Sequence, residues 1–151
     1  MLFGDATPPP ALGDYTGFLM NWCAARSRGA FADALEQLGL RPPQFAVLSV
    51  IDAEPGLTQQ ALVEATGIDP STMVQLLDGL EQAGWAERRP HATDRRKRAV
   101  HLTKQGGAVL LRARKAATTV GEATFAPLAP EEREQLHALL RKLAGLDSAS
   151  G

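Results

Sequence analysis

Apolar side chains recur at helical spacing through most of this chain, and the breaks between the runs carry turn chemistry. Asp14 is a candidate N-cap. Beyond it Tyr15, Phe18, Leu19, Trp22, Cys23, Arg26, Phe31, Leu35 and Leu38 fall mostly on one helical face. Gly29 interrupts that run and marks a place for a kink, and Gly39 suits the left-handed residue that closes a helix. Pro42-Pro43 restarts the chain into a second helix, with Phe45, Leu48 and Ile51 inside and Val47 and Val50 widening its apolar face. Ala53-Glu54-Pro55-Gly56 ends it. Thr58 reads as the N-cap of a third helix, with Leu62, Val63 and Ala65 inside and Gly67 at its end. Asp69-Pro70-Ser71 opens a fourth, because Asp69 can accept from the orphan N–H groups and Pro70 is pre-set for the first helical position. Met73, Leu76, Leu77 and Leu80 form its buried stripe, and it ends near Gly84.

The period then shortens. Trp85-Ala86-Glu87-Arg88 and Arg98-Ala99-Val100-His101-Leu102 read as two short strands, and the alternation in the second places Val100 and Leu102 toward the core, with Ala99 and His101 opposite. Thr103 opens a fifth helix carrying Val109, Leu110, Ala113, Ala116, Ala117 and Val120, which Pro127-Leu128-Ala129-Pro130 breaks. A sixth follows with Leu136, Leu139, Leu140 and Leu143 inside, and Glu131 and Glu132 at its start and Arg141 and Lys142 at its end suit the helix dipole. The fold expected is mainly α, with one small hairpin. Residues 1–13, with Pro8-Pro9-Pro10 and two glycines, read as a flexible N-terminal arm, and residues 147–151 as a C-terminal tail.

Composition narrows the class. The chain has 151 residues, 44% hydrophobic and 22% charged, which fits one globular domain or one domain with a dimerisation extension. No apolar run approaches the roughly 18–20 residues of a membrane span. The N-terminus lacks a basic region ahead of an apolar one, so a cytoplasmic protein is expected. Cys23 is the single cysteine, too few for an internal disulfide, and the separated His91, His101 and His137 do not make a metal site. No Gly-x-Gly-x-x-Gly, phosphate-loop lysine motif or Gly-x-Ser-x-Gly is present, so neither an enzyme nor a cofactor is expected.

Charge supplies the functional lead. The formal net charge is −1, yet the stretch from Arg88 to Arg98 holds six cations (Arg88, Arg89, Arg95, Arg96, Lys97, Arg98) against Asp94. That stretch is +5, so the rest of the chain sums to −6. A local field of this kind suits a polyanion. A charge run can also be a solvated loop, but this one directly follows two short helices joined through Gly67-Ile68-Asp69, an arrangement that reads as helix–turn–helix from Thr58 to Leu80. A helix pair followed by a basic hairpin is a winged helix–turn–helix. Ser71, Thr72 and Gln75 at the start of the second helix can reach base edges or phosphates, and Thr58 and Gln59 at the start of the first join the candidate DNA contacts. The rival reading is a winged-helix protein-interaction module whose basic tip docks an acidic partner.

Asp94-x-Arg96 followed by Leu102-Thr103 and Gly106 resembles the wing signature of the multiple antibiotic resistance regulator (MarR) family, and Gly67-Ile68-Asp69-Pro70-Ser71-Thr72 is similar to its recognition-helix start. The resemblance, over about residues 14 to 146, implies a homodimeric winged helix–turn–helix transcriptional regulator, a repressor or an activator, with repressor the reading expected here. It assigns residues 14–41 and 104–146 to dimerisation helices and 42–103 to the DNA-binding lobe. It also implies that recognition helices enter successive major grooves of a near-palindromic operator, that Arg96 enters the minor groove, and that Asp94 holds the tip arginines. Many relatives respond to small aromatic or phenolic acids. This chain departs from the family where Val74 and Gln75 stand in place of a polar residue and an arginine, and where Gly79 replaces a residue that is often basic. That departure shifts the expected phosphate attraction toward the wing.

Three side chains on the first helix carry further expectations. Cys23 invites comparison with the peroxide-sensing branch of the family, but its neighbours Trp22, Ala24 and Ala25 offer no activating charge, so a buried packing role is expected. Trp22 and Arg26, one turn apart, could wall an effector pocket, with the indole against a ring and the guanidinium meeting a carboxylate, or could pack in a dimer interface. His91 sits at the wing within reach of phosphate, His101 is expected at the surface or boundary, and His137 lies among charges on the last helix.

Overall fold

The structure, a computed structural model, describes residues 7–146. The expected tail 147–151 and the first part of the expected arm, residues 1–6, lie outside the described residues. A 3-10 turn at Pro10–Leu12 precedes α1 (Thr16–Glu36), α2 (Pro42–Ala53), α3 (Gln59–Thr66), α4 (Pro70–Gln82), β1 (Ala86–Pro90), β2 (Arg98–Leu102), α5 (Lys104–Thr124) and α6 (Pro130–Leu143). The class is mainly α. No helix among the described residues is long and apolar enough to cross a membrane. The chain divides into two compact units, Arg28–Thr118 and the residues on either side of it.

The unit Arg28–Thr118 holds the core. Leu35, Leu40, Val47, Leu48, Ile51, Leu62, Met73, Leu77, Leu80, Val100 and Leu110 are all but inaccessible to solvent. Apart from Leu40, they come from α1, α2, α3, α4, β2 and α5, and Ala86 of β1 joins them, so α2, α3, α4 and the hairpin share one interior, and Phe31 meets Phe45 edge to face at 5.2 Å. Local chemistry sets the boundaries. The Thr58 hydroxyl accepts the Ala61 N–H at 3.3 Å, and Asp69 Oδ1 accepts the Thr72 N–H at 3.0 Å. Gly67 closes α3 at φ +69°, a left-handed conformation that a side chain would strain, and this turn aims α4 away from α3.

Three expectations need correction. α1 begins at Thr16, where the Tyr15 carbonyl accepts from Leu19, so Asp14 is not its N-cap. It runs on through Gly29, which lies in open space. β1 is shifted to Ala86–Pro90, because the Trp85 N–H closes the end of α4 on the Leu80 carbonyl and pairing continues to Pro90 opposite Arg98. β2 does not simply alternate. Ala99 and Val100 are both buried while Leu102 is only partly so. The cause is a third backbone segment: Val100 donates to the Leu57 carbonyl at 2.9 Å, its own carbonyl accepts from Gly56 at 3.1 Å, and Thr58 bridges Ala99. The linker before α3 thus covers the free edge of β2.

The other unit contains α6. Its expected inner stripe is only partly covered: Leu136 is half-buried, but Leu139 is 59% and Leu143 72% exposed. The amphipathic period is present, but among the described residues Leu139 and Leu143 stay exposed on that face. The start of α6 is held by Glu132, whose carboxylate accepts the Ala129 N–H at 2.8 Å.

Candidate nucleic-acid interface

Two elements of the lobe present the candidate contacts. On α4, the stripe Met73, Leu76, Leu77 and Leu80 is buried, and the same periodicity leaves Ser71, Thr72 and Gln75 exposed. The N-cap orders this end. Asp69 Oδ1 accepts from both the Ser71 hydroxyl, at 2.6 Å, and the Thr72 N–H. These hydrogen bonds, the Ser71 hydroxyl first among them, hold the Asp69 carboxyl well below the usual carboxylate range. Because Ser71 gives its proton to Asp69, its hydroxyl turns acceptor lone pairs outward, which suits an amino group on a base edge better than a phosphate oxygen. Val74 is 39% exposed beside these polar groups and offers an apolar contact of the kind a thymine methyl accepts.

The second element is the wing. β1 and β2 pair antiparallel from Ala86 opposite Leu102 to Pro90 opposite Arg98. His91 donates its N–H to the Lys97 carbonyl, and Lys97 donates to the Asp94 carbonyl, so the tip is a closed loop. Asp94 Oδ1 accepts the Arg96 backbone N–H at 3.0 Å. Asp94 therefore holds Arg96, one of the tip arginines, through its main chain. Arg95, Arg96, Lys97 and Arg98 are exposed, and among the described residues no carboxylate ion-pairs with them. His91 Nδ1 faces the Thr93 N–H and hydroxyl across the turn.

The six cations of the stretch are not equivalent, although the sequence offered no adjacent acidic run to separate them. Arg89 pairs with Glu87 on the same face of β1. Arg88 turns back to α4: its Nη1 meets Asp78 at 2.9 Å and Glu81, and its backbone N–H donates to Glu81 Oε1 at 2.9 Å. Asp78 and Glu81 lie three residues apart on the polar side of α4, one turn of helix. Sequence reasoning missed both, because their link to Arg88 exists only once the chain reverses at Gly84. Thr58 and Gln59 are half-buried beside the Thr58–Ala99 bridge, closer to a structural than a fully exposed position. Gly79 is also half-buried, and a Cβ there would touch the Gln44 amide at 3.9 Å, so the position packs toward α2.

These positions can be set beside known proteins. A family model for the MarR family matches residues 38–97, the span from the end of α1 to the wing tip. The transcriptional regulator HosA of Escherichia coli is 36% identical over 104 residues, 69% of this chain and 77% of that protein. The chain belongs to the MarR family of transcriptional regulators. Its fold matches the repressor CouR bound to a 23-mer DNA duplex, with a TM-score of 0.79 at 29% identity over 92% of this chain and 99% of that one. It also matches the MarR-family protein Rv2887 of Mycobacterium tuberculosis in complex with DNA, at 0.76 and 28%, over 85% and 96%. Rv2887 has also been solved with p-aminosalicylic acid, at 0.71 and 27%, over 85% and 98%.

The remaining candidates of this MarR-family chain lie on α1. Trp22 and Arg26 share a face, with the guanidinium carbon 5.7 Å from the indole centroid, and Phe18 leans on the same indole at 5.9 Å. A shallow apolar depression lies elsewhere in their unit, lined by Phe125, Leu136, Leu140, Arg133, Glu134 and His137. Cys23 is exposed, so the expected burial does not hold among the described residues. Among the described residues no group of three or more His, Cys, Asp and Glu could hold a metal ion.

Proposed function

We propose that this protein binds double-stranded DNA as a homodimer, reading a near-palindromic operator, and represses transcription there until a small aromatic or phenolic acid releases it. The observation that carries the reading is the pairing, in one compact unit, of four exposed wing-tip cations that ion-pair with no carboxylate among the described residues and an exposed polar end of α4. Arg95, Lys97, Arg98 and the more peripheral Arg89 meet phosphates, and Arg96 enters the minor groove, where a narrow groove concentrates negative potential. Ser71, Thr72 and Gln75 read base edges in the major groove. Thr58 and Gln59, at the start of α3, touch the flanking backbone, as a first helix does when it crosses the phosphates.

The dimer is inferred from α6. A stripe holding Leu139, Leu140 and Leu143 exposed is costly in water, and a second copy presents the same stripe in return. Two lobes related by a two-fold axis then face half-sites about one helical turn apart, roughly 10 bp centre to centre. The effector class is supported by the p-aminosalicylate complex of Rv2887. Trp22 and Arg26 are proposed to meet it, the indole taking a ring face and the guanidinium a carboxylate. Such a ligand acts only by favouring a dimer mis-spaced for DNA.

A titration of duplex across salt concentrations tests the core of this reading. Each phosphate neutralised contributes about −0.9 to the slope of log K against log salt. A steep slope with a protected palindrome in a footprint is the expected result. Negligible duplex binding at low salt, with capture of an acidic protein instead, would establish the interaction-module alternative.

A further inference from the structure

We propose that Arg88 is a positioning residue that locks the wing to the recognition helix, and that it makes no phosphate contact although it belongs to the basic stretch. The proposal rests on the reading of the lobe as a DNA interface. Three bonds carry it. Arg88 Nη1 bridges Asp78 and Glu81, one turn apart on α4, and the Arg88 N–H donates to Glu81 Oε1. Glu81 thereby holds the first strand of the wing at both its backbone and its side chain. The Arg88 side chain is 21% exposed, and that of Glu81 33%, so the pairing is more sheltered than the exposed Arg89–Glu87 pair at 58% and 42%.

The chemistry separates the two roles. A guanidinium facing two carboxylates is over-neutralised, and moving it to a phosphate would strand both anions next to the DNA backbone. Duplex binding instead gains if Asp78 and Glu81 stay covered. The clamp also fixes a distance that matters. The wing and α4 touch different grooves, so their separation must match the duplex, and β1 is tied directly to the helix that enters the major groove. The cations that reach DNA are then those beyond the clamp, Arg89 and the four at the tip.

The test compares Glu81→Ala, Asp78→Asn and Arg88→Ala with the wild-type chain, each checked for a cooperative melt and unchanged oligomeric mass. If Arg88 positions the wing, all three lower operator affinity, Glu81→Ala and Arg88→Ala about tenfold and Asp78→Asn less, with the salt slope unchanged. Hydroxyl-radical protection at the minor-groove flanks should fade before that of the major groove. If Arg88 were a phosphate contact held in reserve, Glu81→Ala would free a cation and raise affinity, and Arg88→Ala would flatten the slope by about one per protomer. Either result, or wild-type affinity in all three, overturns the proposal.

A readout without DNA separates failure of this inference from failure of the DNA reading. Spin labels at Ala92→Cys and Gln82→Cys, in a Cys23→Ser background, report the tip-to-α4 distance. That distribution should broaden in Glu81→Ala and Arg88→Ala, and an unchanged one removes the clamp whatever the chain binds.

Discussion

The backbone of Gly106 lies against the Trp85 carbonyl so closely that a Cβ on Gly106 would sit 1.8 Å from that oxygen. The same carbonyl accepts the Thr103 N–H at 3.1 Å, and the Thr103 hydroxyl donates to the Gly84 carbonyl at 2.6 Å. The start of α5 is thus pressed onto the base of the wing, and only glycine fits the contact. Gly106→Ala should destabilise the lobe by about 3 kcal/mol or more, the upper end for overpacking, which lowers Tm by roughly 6–12 °C in a chain of this size. A thermal melt decides it, and a Tm within a degree or so of wild type would mean that α5 can move off the wing freely.

Arg96 is the tip residue whose backbone is fixed by Asp94 while its exposed side chain pairs with no carboxylate among the described residues. Arg96→Ala should weaken operator binding and flatten its salt dependence by about one unit per protomer, with the dimer mass intact. Equilibrium titration at several salt concentrations measures both. Unchanged affinity removes the minor-groove role.

Gln75 is exposed on the face of α4 opposite the buried Leu76 and Leu77. Gln75→Ala should cost about 1–3 kcal/mol on the operator and little on random duplex, because an amide reading a base edge contributes to discrimination rather than general attraction. Equal losses on both DNAs would make Gln75 a backbone-positioning residue.

Leu139 and Leu143 are exposed on α6, so changing them leaves the interior of the chain untouched. The double variant Leu139→Glu, Leu143→Glu should keep its helical signal but sediment as a monomer, and it should bind a half-site as well as a full operator. A variant that remains dimeric places the self-association elsewhere.

Asp69 supplies a pH prediction. Its folded-state pKa is depressed, first by the Ser71 hydroxyl and then by Thr72, below the ordinary value of 3.8. The cap therefore contributes stability that is fully present above that ordinary value and lost as pH falls through the lower, folded one. Asp69→Ala should lower Tm at neutral pH, and the gap to wild type should narrow as the pH is taken below 3.8. A gap that narrows already between pH 8 and 5 would show that another group carries the effect.

The order of elements was legible in the sequence because it depends on short-range chemistry. Thr58, Gly67, Asp69 and Pro70 announce their own caps and turns, and the stripe of Met73, Leu76, Leu77 and Leu80 is one face of one helix, buried as expected. The exposed end of α4 follows from the same period. What the sequence could not provide was pairing across distance. The burial of Ala99 depends on the Gly56–Thr58 segment returning to the edge of β2, and Asp78 and Glu81 meet Arg88 only after the chain has reversed. Six cations that look alike along the chain were sorted by the fold into two held by carboxylates and four that meet none among the described residues, because a charge's role depends on which anions lie within a few ångströms. The leucines of α6 illustrate the reverse: their period marks an apolar face, but only the three-dimensional arrangement leaves Leu139 and Leu143 exposed among the described residues.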